Sequence, residues 1–310
     1  MKKSLVVATD SAKLNELAAL LRGVGLRPDV MLGTEFLPKE PMECDIILGR
    51  IVGREALAAL RGHLAPGGVI VALLPMSSGL GDMVSWLGVD DCCHVIREEP
   101  GWETLLTTTL DKLVSGSIFG LERYLPKDTN LHLLRFQTYK GRSAAIDKIV
   151  RHAKRARFRG SQRQAIAQAT EELLMNALYN APVDEEGQMI FGDVQPKERL
   201  SMESPKPVSV RFAATGDLFG IAIRDRYGKF SKDTLVGYIE KCLRQEDDQI
   251  DSKVSGAGLG LYFVASRASL FVYNIAEGVA TEAIALFERK RSGSGEPRAM
   301  GMFRYDGGPR

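Results

Sequence analysis

Apolar residues gather in short unbroken runs at 5–9, 45–48 and 69–74, with a weaker run at 93–97. Runs this short and uniform suit strands buried on both faces of a parallel sheet. Between them the period lengthens to that of a helix. Leu14, Leu17, Leu20 and Leu21 share one face behind Ser11, which reads as the cap, and the pattern closes near Gly23 and Gly25. Further helices fit at 53–64, 80–88 and 102–114. This alternation predicts a doubly wound α/β domain over residues 1–117, with the run at 93–97 as its fifth strand.

Residues 118–130 carry breakers and no long period, and read as a linker. Beyond them the pattern is that of an α+β sandwich, over residues 131–290. A strand at 131–136 precedes a helix from Arg142, with Ile146, Ile149, Val150 and Ala153 as its buried stripe. A second helix runs from Ser161, paired with Gln164 at capping-box spacing, to a stop at Pro182. A polar segment at 183–207 reads as a surface insertion. Residues 208–225 form a hairpin turned at Thr215-Gly216-Asp217, and 270–276 with 281–288 form another around Glu277-Gly278. The tail, 291–310, is rich in Gly, Ser and Arg and is expected to be disordered.

The helix at 161–181 has two faces. Ile166, Ala169, Leu173 and Ala177 follow the spacing of a buried stripe, whereas Gln168, Glu172, Asn176 and Asn180 recur every four residues. A polar row flanked by Leu173, Leu174 and Met175 suits either a partly exposed face or a binding site. Two later stretches bear on the choice. Asp225-Arg226-Tyr227-Gly228 follows a strand, and Gly256-Ala257-Gly258-Leu259-Gly260-Leu261 opens a helix.

In this order and spacing, Glu172-x-x-x-Asn176-Ala177, Asp225-x-x-Gly228 and Gly256-x-Gly258-Leu259-Gly260-Leu261 resemble the N, G1 and G2 boxes of the GHKL superfamily of histidine kinase-like ATPases. The resemblance covers residues 128–290. A glutamate four residues before the asparagine is most similar to the anti-sigma-factor serine kinases and the gyrase-like ATPases. The resemblance implies an ATP site that uses Mg²⁺. Asp225 would accept from the adenine amino group, Gly228 would let the backbone approach the base, and Asn176 would hold the metal. Glu172 would act as general base, oriented by Asn180. Gly256, Gly258 and Gly260 would cradle phosphates, Lys253 would contact them, and Thr281 would lie near the base. Residues 229–255 would form the lid. A Walker loop is absent from the chain, and Leu261 stands where a dinucleotide-binding loop needs its last glycine.

The five-unit pattern of residues 1–117 resembles the receiver domain of two-component signalling, yet the third strand ends Leu48-Gly49-Arg50-Ile51. A domain with no carboxylate there has no phosphoacceptor, and Asp10 alone does not make a full Mg²⁺ cage. It reads as a pseudo-receiver that binds a partner or self-associates into a homodimer.

Composition narrows the classes. Charged residues are 26% with a formal net charge of +2, so no global field calls for nucleic acid. Arg151, Lys154, Arg155, Arg157, Arg159 and Arg163 read as a solvated helix face, since Phe158 is the one aromatic among them. His152 lacks the acidic residue that follows a phosphoacceptor histidine. The four cysteines form no C-x-x-C pair and read as reduced thiols, and no run approaches the length of a membrane span. The expectation is a cytoplasmic signalling protein that transfers phosphate from ATP to a serine or threonine of a protein partner, a regulator or sigma-factor-like target. The rival readings are an ATPase and a non-enzymatic, nucleotide-gated binding module.

Overall fold

The computed structural model describes residues 2–34, 37–50, 54–192, 194, 198, 201–247, 259–290 and 295–305. The chain forms two compact units. The first comprises residues up to Ser117 with Arg298–Gly301, and the second comprises the remainder from Ile118.

In the first unit, β1 (Lys3–Ala8), β2 (Arg27–Leu32), β3 (Cys44–Gly49), β4 (Leu64–Leu74) and β5 (Cys92–Arg97) are parallel in the order β2-β1-β3-β4-β5. This is the flavodoxin-like order of doubly wound folds. The uniformly apolar runs are the central strands, with Leu5, Val6, Ile46, Ile47, Val71 and Ala72 fully or almost fully buried. Helices α1 (Ser11–Gly23), α2 (Arg54–Arg61), α3 (Leu80–Leu87) and α4 (Trp102–Ser115) alternate with them. Strand β2 has no apolar run to betray it, because as an edge strand it is largely exposed. Helix α1 is capped by Asp10 rather than Ser11, its Oδ1 accepting from Lys13 N at 2.8 Å.

The expected tail also departs from its composition. Ala299–Tyr305 form a strand, β11, whose residues Ala299–Gly301 pair antiparallel with β5. Met300, Met302 and Phe303 are buried, and burial of these three side chains offsets the entropy of ordering a segment that otherwise reads as disordered.

The second unit is an antiparallel sheet in the order β9-β10-β8-β7-β6, made of β6 (His132–Thr138), β7 (Glu203–Ala214), β8 (Leu218–Arg224), β9 (Leu270–Ala276) and β10 (Ala280–Glu288). Helices α5 (Tyr139–Arg155), α6 (Gly160–Met175) and α8 (Leu259–Arg267) accompany it, and α7 (Lys232–Asp247) packs on α8. Register sets the face toward α5 and α6. Leu134, Val210, Ile223, Ala283 and Tyr273 are cross-strand neighbours on it, and Phe212 and Phe219 on the same side meet the ring of His152. The pair α5–α6 is tied by buried Arg142, which bonds Glu171 at 2.6 Å and stacks over Tyr139.

Three expectations are corrected here. The capping glutamine of α6 is Gln162, whose Oε1 accepts from Arg159 N at 2.9 Å, so the helix begins one residue early at Gly160. Strand β7 starts at Glu203, inside the expected insertion. Residues 118–130 are not a free linker: Leu121 and Leu125 are buried, and Gly120 N donates to Glu282 Oε2 at 2.8 Å. The apolar side chains of this segment supply a cover for the second face of the sheet.

Candidate functional site

Helix α6 does not end at Met175 but continues through one π-helical turn, Asn176–Asn180, in which Ala181 N donates to Asn176 O at 2.8 Å. Pro182 follows and has no N–H to offer the carbonyl one α-turn back. Such turns change which side chains share a face and recur at functional sites. Here the turn keeps the polar row in contact. Asn180 Nδ2 donates to Asn176 Oδ1 at 2.7 Å, and Asn176 Nδ2 donates to Glu172 Oε1 at 3.4 Å.

Opposite this turn, β8 ends and Asp225 follows. Asp225 N donates to Thr281 O at 2.9 Å, which extends the β8–β10 ladder by one step. Its side chain is 6% exposed, and Oδ1 accepts three backbone N–H groups, from Tyr227 at 2.8 Å, Thr281 at 3.2 Å and Gly228 at 3.3 Å. Burial raises the pKa of Asp225, and those bonds to the charged form oppose the rise. Oδ2 takes none of these backbone bonds.

Between the two walls lies a cavity of about 720 Å³, ligand-sized, lined by Asn176 and Asn180 on one side and by Asp225 and Thr281 on the other. The space exists because the layer between helix and sheet is under-filled, with Ala177, Ala181 and Ala283 at positions where larger side chains would close it. Phe230 and Tyr273 form an aromatic wall, their rings stacked at 4.1 Å with 15° between planes. Burial raises the Tyr273 phenol well above its ordinary pKa, with the charges of Glu172 and Asp225 adding to the shift.

Of the residues singled out from the sequence, Asn176, Asn180, Asp225 and Thr281 therefore share one cavity. Glu172 does not line it. Its half-buried carboxylate lies behind Asn176 against α8, where a Cβ on Gly260 would fall 1.9 Å from it. Burial raises the Glu172 pKa; the Asn176 amide opposes this and Glu171 adds to it. Gly228 is also not in the wall. It lines a smaller neighbouring pocket with Phe230 and Ile275; its φ is +65°, and a Cβ there would sit 2.1 Å from Ala276 O, so the close approach of the β9–β10 turn by itself requires a glycine. Lys253, Gly256 and Gly258 lie outside the described residues. Of the span 229–255, Lys232–Asp247 is a helix with Leu235 and Ile239 buried.

No family model and no curated protein matches the chain. Similar solved structures include a pilus assembly protein (cpaE) from Burkholderia thailandensis E264, 22% identical, covering 37% of this chain and 99% of that one with a TM-score of 0.30. A response regulator receiver domain protein from Clostridium thermocellum is 14% identical over 38% of this chain and 97% of that one, with a TM-score of 0.30. The SiaB-SiaC complex from Pseudomonas aeruginosa is 14% identical over 58% of this chain and 98% of that one, with a TM-score of 0.37.

Sequence reasoning missed Lys229, Tyr238 and Tyr273 as cavity residues. Tyr273 sits mid-strand among apolar neighbours and is indistinguishable there from core.

The first unit has its own crevice residues, at the carboxyl ends of β1, β3 and β5 where doubly wound sheets place their sites. They form an ion triad: Glu98 bonds Lys13 at 2.5 Å and Arg50 at 3.1 Å. Burial alone would lower the Lys13 pKa, but the carboxylates of Glu98 and Glu16 outweigh it and hold the ammonium above its ordinary value. Asp10 is occupied in capping α1. Beryllofluoride or acetyl phosphate is accordingly expected to leave this unit of the full-length protein unmodified by mass spectrometry. An aspartyl phosphate within residues 1–117 is the result that would contradict it. Among the described residues no helix is long and apolar enough to cross a membrane.

Proposed function

We propose that the second unit binds ATP with Mg²⁺ in the 720 Å³ cavity and passes the γ-phosphoryl group to a serine or threonine hydroxyl of a protein partner. The observation that carries this reading is the convergence, on one ligand-sized space, of a buried carboxylate with one oxygen free of backbone bonds and a pair of amides from the π-helical turn. Asp225 Oδ2 would take the exocyclic amino group of adenine, a charge-assisted bond. The stacked Phe230 and Tyr273 supply an apolar surface for a planar base.

Asn176 suits the metal. Its Oδ1 accepts from Asn180 but keeps a second lone pair, and Mg²⁺ asks for few protein ligands because it arrives with waters and phosphates. When bound, Mg²⁺ would neutralise charge on the phosphates. Glu172 would take the hydroxyl proton as the acceptor oxygen bonds to the γ-phosphorus and the bridging oxygen leaves with ADP. The first unit, with its crevice closed by ions, is read as the part that engages a protein partner or a second copy.

One observation favours a second reading. Glu172 rests against Gly260 rather than in the cavity wall, the arrangement expected of a nucleotide-gated binding module in which the carboxylate serves the helix contact. Incubation with γ-labelled ATP and a cell extract separates the alternatives. Label on a protein supports the kinase, free phosphate supports an ATPase, and binding without either supports the gated module.

Gly260→Ala tests the placement of Glu172 directly. The added methyl would overlap Glu172 from Cγ outward and must turn the whole side chain away from its present place. The expected result is a loss of turnover of about tenfold or more, as for misplacement of a catalytic group. Unchanged turnover would show that this contact does not position the base.

A further inference from the structure

The opposite face of the antiparallel sheet carries a polar row that crosses all five strands. Arg135, Ser209, Arg224, Glu282 and Asn274 are successive cross-strand neighbours on β6, β7, β8, β10 and β9. Arg211 lies on the same face, next to Leu133 across the β6–β7 pair. The single carboxylate of the row, Glu282, is already engaged, its Oε2 accepting from Asn274 Nδ2 and Gly120 N, both at 2.8 Å.

Part of this face is covered by the chain itself. The ring of Phe119 stacks on Arg224 at 4.0 Å, Leu121 packs on Gly220, and Glu122 pairs with Arg211 at 3.2 Å. A segment that offers apolar side chains and one carboxylate thus already lies on the arginine face. Beside it a groove of about 410 Å³ remains open, with Arg135 and Arg226 exposed on its rim. Neither has an ion pair among the described residues. Leu133 and Val279, 48% and 62% exposed, flank the same groove.

We propose that this groove binds an extended acidic segment of a partner protein, its carboxylates on Arg135 and Arg226 and its apolar side chains against Leu133 and Val279. Charge complementarity favours an anion, since four guanidinium groups line the groove, one of them paired with Glu122, against one engaged carboxylate. Arg135 and Arg224 stand on strands two apart, about 10 Å at the usual strand spacing, which is wider than one phosphate group. No aromatic side chain lines the groove, so the stacking platform of single-stranded nucleic acid is missing. The covering segment already sets the apolar side chains of Phe119 and Leu121 and the carboxylate of Glu122 on this face, the two kinds of group that the open half would receive.

The test is fluorescence anisotropy with the full-length protein and a labelled ten-residue peptide alternating Glu and Leu. Binding is expected to weaken with salt and to fall at least tenfold in Arg135→Glu/Arg226→Glu. The reversal Arg151→Glu/Arg155→Glu on α5 is expected to leave it within twofold. If the reversed pair melts early by circular dichroism, Arg135→Gln/Arg226→Gln gives the same reading with a smaller loss. The proposal is overturned by absence of peptide binding, by equal loss from the α5 pair, or by equal binding in the Arg135/Arg226 variants. Displacement of the peptide by inorganic phosphate or oligo-dT at matched charge concentration would also overturn it.

Discussion

Glu172→Gln is expected to lower turnover by roughly 10²–10⁴, the usual contribution of a positioned general base, while nucleotide affinity stays within a few-fold. Glutamine keeps an oxygen that can accept from Asn176 Nδ2, so the bond at 3.4 Å and the packing against Gly260 survive. Only the proton acceptor is lost. The pH profile supplies an independent check. Burial raises the Glu172 pKa, so the carboxylate form needed for catalysis appears only above the ordinary glutamate range. Wild-type turnover should therefore fall on acidification at a higher pH than an exposed glutamate would give, and the residual turnover of the glutamine variant should lack that limb. Equal turnover in the two proteins would remove Glu172 from the chemistry and leave the gated module as the better account.

Asp225→Asn is expected to weaken adenine nucleotides by about 10- to 150-fold, the equivalent of losing a bond to a charged group worth roughly 1.5–3 kcal/mol. Asparagine can still present Oδ1 to the N–H groups of Tyr227, Gly228 and Thr281, so the turn after β8 and the fold are kept. What changes is the other atom, an acceptor replaced by an NH₂ that faces the amino group of the base. Linkage gives a second signature. The raised Asp225 pKa means that the folded protein binds this proton more tightly than the unfolded chain. Its contribution to stability is full below the unfolded pKa and is lost as pH rises through the folded value, a slope the asparagine variant should not show. Calorimetric titration and melting curves read the two effects separately. Unchanged affinity would take Asp225 out of the site.

Much of the site was legible because its signals are local. Four-residue spacing put Glu172, Asn176 and Asn180 on one helix face, and the structure keeps the three in hydrogen-bonded contact. Asp225 was marked by following a strand. The turn contact of Gly228 was not legible, since a glycine required beneath a neighbouring turn carries no mark in the sequence of what lies over it. Tyr273 was hidden because pocket aromatics and core aromatics in a strand share a period, and only the missing volume beside it tells the two apart.

By itself the sequence determined the two-part architecture, the helix and strand periods and the order of the polar motifs, since these follow from spacing along a single segment. Tertiary structure alone decided which polar residues meet. Thr281 reaches Asp225 only through the pairing of β8 with β10, and the connector becomes a cover only once a sheet offers it a second face. The groove of arginines depends likewise on the register of separate strands. A shift of one residue in any pairing would send that strand's side chains to the opposite face.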